Sequence, residues 1–408
     1  MSPPFEGDQP PATVKTPAVG RLIGIDLARG LAVLGMFSAH VGPAVAVGGP
    51  LGFLLETARG RSAALFAVLA GFSLVIITGR PRPHTGRAGR QAVARIVIRA
   101  ALLLALGYAL IALDTDVDVI LSAYGLLFLT VLPLYRLGAR TLALISAASA
   151  LLLPQVLYVI RAAIEAGGWA DTVIAHDPVA LISNTDGVIE LLFTGEYPVL
   201  TWIPFLVAGM VVARLDLTPG AGSRLAFAGG ALALLGYGGS WLALHVVPNA
   251  LPTISSAADG GSASSAWWSD AVGTPEDHTP LGWLLVAAPH SQTTFSIIGN
   301  TGVALAVIAA CLAVAERMPR LTALARPVAA VGMTALTAYV LHIIALWSFS
   351  EVWYVPAIAE DETLSALPAL LGFIGAAMLL ATVWTRLFRR GPLEQVLHVA
   401  TQTAQRID

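Results

Sequence analysis

Ten stretches of about twenty apolar residues recur along this chain, and they decide what it can become. They cover 22–47, 61–79, 93–113, 117–135, 141–160, 197–213, 225–247, 293–315, 327–349 and 367–388. A run of that length, coiled as a helix, crosses the ~30 Å hydrocarbon core of a bilayer. Inside hydrocarbon every backbone N–H and C=O must find its partner within the segment, which selects helix for runs this long. Composition agrees: of 408 residues 56% are hydrophobic and 12% charged, roughly half the charged share of a soluble domain. The expected fold class is all-α, a polytopic membrane protein of about ten transmembrane helices.

Charge placement orients these helices. Arg80, Arg82, Arg87, Arg90, Arg95 and Arg99 follow the second stretch, and Arg136 and Arg140 the fourth. Arg214 and Arg224 flank the turn after the sixth, Arg317, Arg320 and Arg326 follow the eighth, and Arg386, Arg389 and Arg390 the tenth. The other set of loops is acidic, with Asp114, Asp171, Asp259, Asp270 and Glu351 among its members; Arg59, Arg61 and Arg161 are exceptions. By the positive-inside rule both termini are expected to be cytoplasmic. Residues 1–20, rich in Pro and Thr without an apolar centre, read as a disordered cytoplasmic tail, 21–390 as the transmembrane domain and 391–408 as a second cytoplasmic tail. Two outer loops, 161–186 and 248–292, exceed what a turn needs, and long loops often carry function. The one cysteine, Cys311, lies in an apolar run, so neither an intrachain disulfide nor a cysteine metal site is expected. No His-x-x-x-His or Glu-x-x-His pattern occurs, so no metal is expected either.

Ionisable groups within membrane helices are costly and are functional by default. The first stretch holds Asp26, Arg29 and His40. Eleven helical steps bring Arg29 and His40 to nearly one face, about 16 Å apart along the axis. Asp26 and Arg29, three apart, can pair. That makes them a self-neutralised couple or an arginine that orients a ligand between helices. Gly30 and Gly35 could bend this helix. His40 suits a general base, since imidazole titrates near neutrality; the bland alternative is an interfacial histidine satisfied by water or a carbonyl. Tyr339 and His342 share a face of the ninth stretch, and His290 with Ser291 opens the eighth at the outer surface. Trp267-Trp268 reads as an interface anchor or a platform against a sugar ring. Arg61 either snorkels to water or pairs with Glu56 or an acidic ligand. Arg95 and Arg99 belong to the basic loop that sets topology, and guanidinium also suits phosphate. Gly86-Arg-Ala-Gly89 is too weak to count as a phosphate loop, and nothing points to nucleic acid.

Residues 21–40, with an arginine, ten residues and then a histidine, resemble the opening of the heparan-alpha-glucosaminide N-acetyltransferase-like membrane proteins of the acyltransferase-3 superfamily. Residues 60–71, 197–209 and Arg390-Gly-Pro-Leu-Glu394 support the resemblance, the last two being like an uncharacterised bacterial branch. The resemblance implies transfer of an acyl group, usually acetyl, from cytosolic acyl-CoA to an extracytoplasmic glycan or lipid-linked sugar. It places the chain in the cell membrane of a bacterium, with a homodimer as an option. On this reading His40 is the general base or acyl carrier, with Asp26 and Arg29 beside it. Arg29, Arg61, Arg95 and Arg99 are expected to bind the acetyl-CoA donor, and His290, Ser291, Tyr339, His342, Trp267 and Trp268 to face the acceptor. No histidine lies between 41 and 83, so His40 fills the working position or the role is lost. The alternatives are a transporter or exporter of a small solute or lipid, using Asp26, Arg29 and His342 as a relay, and a non-catalytic partner in cell-wall assembly.

Overall fold

The computed structural model describes residues 23–43, 49–80, 82–115, 117–215, 221–258, 262–273, 275, 279–351 and 366–407. Among them lie eighteen α-helices and no β-strand. The chain opens with α1 (Ile23–Val41), α2 (Gly49–Ala58), α3 (Arg61–Thr78), α4 (Gly86–Ile111), α5 (Ile120–Val131) and α6 (Ala139–Ala166). It continues through α7 (Trp169–His176), α8 (Pro178–Ser183), α9 (Val199–Arg214), α10 (Ala221–Ala233), α11 (Gly239–Val246) and α12 (Ala250–Ala257). The last third holds α13 (Thr294–Arg317), α14 (Pro319–Leu324), α15 (Arg326–Met333), α16 (Ala335–Glu351), α17 (Leu367–Leu387) and α18 (Pro392–Gln402).

Each of the ten apolar stretches falls on a helix. Six helical segments are long and apolar enough to cross a membrane: Gly49–Thr78, Gly86–Ile111, Ala139–Ala166, Gly222–Val246, Thr294–Arg317 and Leu367–Leu387. The ninth stretch is α15 and α16, bent by 85°; taken as one broken span it makes seven. The other three are shorter or carry charge: α1 holds Asp26 and Arg29, α5 runs with a short extension over Ile120–Arg136, and α9 has 16 residues. At ~1.5 Å per residue α9 is about 24 Å long, less than the ~30 Å core.

Position explains the difference. α1, α3 and α9 are the centre, each with twelve buried residues. By contrast α6 buries four of its 28 residues and α17 two of its 21. A helix wrapped by protein can be short and can carry polar groups, because its neighbours and not lipid meet them. A helix on the periphery must be long and apolar. Pro198 precedes α9 and Pro204 lies inside it without ending it.

The two flanking regions are more ordered than loops. Residues 248–292 include α12 and short helical turns gathered round a small core of their own, with Ile254, Ala266, Val272 and Val286 inside. The described residues from 391 to 407 include α18, which lies against α4, and Gln91 Nε2 donates to the Ile407 carbonyl at 3.0 Å. The expected tail at 1–20 lies outside the described residues.

Candidate functional site

α1 and α15 touch because both lack side chains where they cross. A Cβ on Gly332 would sit 1.8 Å from the Asp26 carbonyl oxygen, and one on Gly30 2.0 Å from that of Val328. Hydrocarbon supplies no hydrophobic drive between helices, so close backbone packing of this kind holds them together. α1 is continuous from Ile23 to Val41. Gly30, one of the two possible hinges, serves helix contact.

The crossing positions Arg29. Its guanidinium donates to Asp26 Oδ1 at 3.2 Å, to Ser73 Oγ at 3.2 Å and to the Gly332 carbonyl at 3.4 Å. Arg29 is therefore paired, and it also lines a cavity of about 900 Å³ between α1, α3, α4, α5 and the α15–α16 bend. The same wall holds Arg99, Arg389, Arg390 and Glu394. Four guanidinium groups face two carboxylates there, and the Nε of Arg99 is buried without a hydrogen-bond partner. Glu394 is already engaged: Oε1 accepts from the Leu336 N–H at 2.8 Å and Oε2 from Thr337 Oγ1 at 2.6 Å. It satisfies N–H groups that the start of α16 leaves without helical partners. The cavity is net cationic and suits a phosphate-bearing ligand.

His40 does not line this cavity. Its Nδ1 lies 2.9 Å from Nε2 of His342, with the two rings inclined by only 10°. Tyr339 meets the His342 ring edge-on at 5.1 Å, and the Phe37 ring lies 4.6 Å from it, tilted by 38°. The Tyr339 hydroxyl accepts from the Ile120 N–H at 3.3 Å. These contacts link the two regions. Leu336 lines the arginine cavity, and His342 lies six residues further along α16, about 9 Å at helical rise. Tyr339 stands between these two positions along α16.

The remaining sequence candidates divide. Arg61 is buried at the other end of α3, where Nε donates to Tyr237 Oη at 2.9 Å, one terminal nitrogen donates to the Glu56 carbonyl at 3.1 Å and the other to the Trp268 carbonyl. It holds the 248–292 region to the bundle and is not a wall of the arginine cavity; Arg95 is not one either. Trp267 packs against the small core of that region, and the Trp268 ring lies tilted 5.5 Å from that of Phe53; both are half-buried. Ser291 Oγ donates to the Ala288 carbonyl at 2.8 Å. His290 Nδ1 pairs with Glu196 Oε1 at 2.9 Å. Burial works against the charged form of both, but each partner outweighs it: His290 is held above its ordinary range and Glu196 below its own. No group of three metal-ligating residues occurs among the described residues.

Sequence reasoning made His40 the base and placed His342 among the residues facing the acceptor; the structure brings the two rings into contact. It also passed over Arg389, Arg390 and Glu394 as site residues, although the Arg390-Gly-Pro-Leu-Glu394 segment was the signal for them. Residues 266–404 match a family of proteins of unknown function, DUF418. That stretch contains His342, the α15–α16 bend, the arginine pair and Glu394, but not α1. No curated protein matches the chain.

Proposed function

We propose that this protein is a membrane acyltransferase of the heparan-alpha-glucosaminide N-acetyltransferase-like type. It moves an acyl group, usually acetyl, from cytosolic acyl-CoA to an acceptor hydroxyl or amine on the far side of the membrane. The observation that carries this reading is the cationic cavity of about 900 Å³ whose inner wall stops about two helical turns short of a hydrogen-bonded histidine pair.

Arg99, Arg389 and Arg390 are the groups for the donor's phosphates, since guanidinium forms strong bidentate contacts with phosphate oxygens. Arg29, held by Asp26 and Ser73, stands deeper, where the acyl-bearing arm would pass. The histidine pair supplies the base. One imidazole takes the acceptor's proton as its oxygen or nitrogen bonds the acyl carbon. The carbon–sulfur bond breaks, and the proton passes to the departing thiolate, so the pair ends as it began. Tyr339 lies between Leu336 and His342 along α16, and its release from the Ile120 N–H would open the last step of the path. The cytoplasmic termini and a location in the cell membrane belong to the same proposal.

The direct test is binding and turnover. Purified protein should be stabilised by CoA or acetyl-CoA in a thermal-shift assay and should consume the thioester. No shift at saturating CoA, with no thioester consumed, overturns the donor assignment and leaves a solute or lipid transporter as the better account.

A further inference from the structure

A second cavity, of about 660 Å³, lies between α16 and α17 and has His342 in its wall. Along α16 it touches Thr334, Ala338, Leu341, Ala345 and Phe349, and along α17 residues from Ala369 to Trp384. Each set follows one face of its helix over fifteen residues, so the cavity is a slot roughly 22 Å long. That is most of the thickness of a bilayer's ~30 Å hydrocarbon core. Small side chains face each other within it, Ala338 and Ala345 on one side and Gly372, Ala376 and Ala377 on the other, between larger ones such as Leu341 and Phe373. Small residues normally let membrane helices close on each other, yet here they leave a gap. Water does not fill a wall this apolar. The one strongly polar wall group in mid-slot, His342, is 3% exposed, and its Nδ1 is buried without a hydrogen-bond partner.

The slot and the arginine cavity share no lining residue. They diverge between Met333 and Thr334 at the bend, one on each side of α16, and His342 is the base-pair member that faces the slot. Group transfer needs two substrates at one base. The cationic side suits the phosphate-bearing donor, so the apolar side is left for the acceptor.

We propose that the slot seats the hydrocarbon chain of the acceptor, which is therefore anchored in the bilayer and not a free sugar. The chain lies along Ala338, Leu341, Ala376 and Leu380, and the acyl-accepting end meets the His40–His342 pair. It enters sideways from the membrane, past α17, the helix with only Leu370 and Ala381 buried. The seat stands on the geometry; its assignment to the acceptor rests on the acyltransferase reading.

A photoactivatable hexadecanoic acid tests the seat, and radiolabelled acetyl-CoA with octadecanol tests the assignment. A Cβ on Gly372, which lines the slot, or on Gly375, which does not, meets nothing within 4 Å. A large residue at either position therefore has room. The probe should crosslink to α16 and α17 in the wild type, and Gly372→Trp should cut that yield by about tenfold or more, while Gly375→Trp should not. Octadecanol should be acetylated by the wild type and by Gly375→Trp, and about tenfold more slowly by Gly372→Trp. Crosslinking that is spread over the whole lipid-facing surface, or is unmoved by Gly372→Trp, overturns the seat. If Gly372→Trp blocks crosslinking but acetylates at the wild-type rate, the slot holds a structural lipid and the acceptor assignment falls. If crosslinking is specific but the wild type consumes no acetyl-CoA, the acyltransferase reading has failed and takes the assignment with it.

Discussion

His40 Nδ1 and His342 Nε2 stand 2.9 Å apart although 302 residues separate them in the chain. At that distance one nitrogen donates and the other accepts, so the pair holds a shared proton and cannot be doubly protonated across this contact. Each ring fixes the tautomer of the other, as a second group commonly does for a working imidazole.

The first prediction follows from that contact. His40→Ala and His342→Ala should each lower acyl transfer by about 10²- to 10⁴-fold, and the double variant should be little worse, because the two act as one unit. Kinetics on purified protein decide it. Full activity in His342→Ala would reduce the pair to His40 alone.

The arginine cavity makes a graded prediction. Arg99→Ala and Arg390→Ala should each weaken CoA binding by about tenfold or more, the scale of one lost charge-assisted hydrogen bond. Arg95→Ala, which lies off the wall, should bind as the wild type does. Isothermal titration measures all three, and equal effects at Arg95 and Arg99 would mean that only the general field of the basic loops matters.

Packing at the α1–α15 crossing can be broken by one methyl group. Gly332→Ala places a Cβ against the Asp26 carbonyl, where 1.8 Å separates them. Overpacking costs about 1–3 kcal/mol and sometimes more, and here only backbone can yield. The variant should melt at lower temperature and lose CoA binding, since Arg29 is aligned by the same contact. A wild-type melting curve for Gly332→Ala would show that the two helices are not held at this distance.

The pair of His290 and Glu196 predicts a pH window. Burial acts first and disfavours both charges, but Glu196 raises the His290 value above the ordinary 6.5, and His290 lowers that of Glu196 below the ordinary 4.5. The raised histidine contributes stability below its unfolded value and loses it as pH rises through the folded one. The lowered carboxylate contributes above its unfolded value and loses it as pH falls through the folded one. The pair therefore supports the fold best in mildly acidic solution, and alkaline solution removes the support. Thermal melts across pH should show that dependence in the wild type and a flatter profile in Glu196→Gln.

Orientation is open to chemical labelling. A cysteine at Asp171, in the exposed α7, should react with an impermeant maleimide added to intact cells, and one at Arg87 should react only after lysis. Cys311 is buried and gives little background. Reversed labelling would invert the proposed orientation and put the arginine cavity on the wrong side for a cytosolic donor.

The sequence by itself determined the fold class, because a bilayer accepts long apolar runs only as helices, and that rule acts on each run without reference to its neighbours. It also marked Asp26, Arg29 and His40, since a charge in an apolar stretch stands out against its surroundings. Tertiary structure alone decided what these groups do. The residue that completes the histidine pair comes from a helix 302 residues further on, and Arg389 and Arg390, which complete the cavity, from the turn between α17 and α18; helical periodicity is silent on which of these segments meet. Lipid exposure was equally hidden: α1, α9 and α17 all read as apolar, yet the first two are wrapped by protein and α17 is not. Glycines were the subtlest case. Gly30 reads as a possible hinge along one helix and acts as a contact between two, because the absent side chain matters only when another backbone occupies its place.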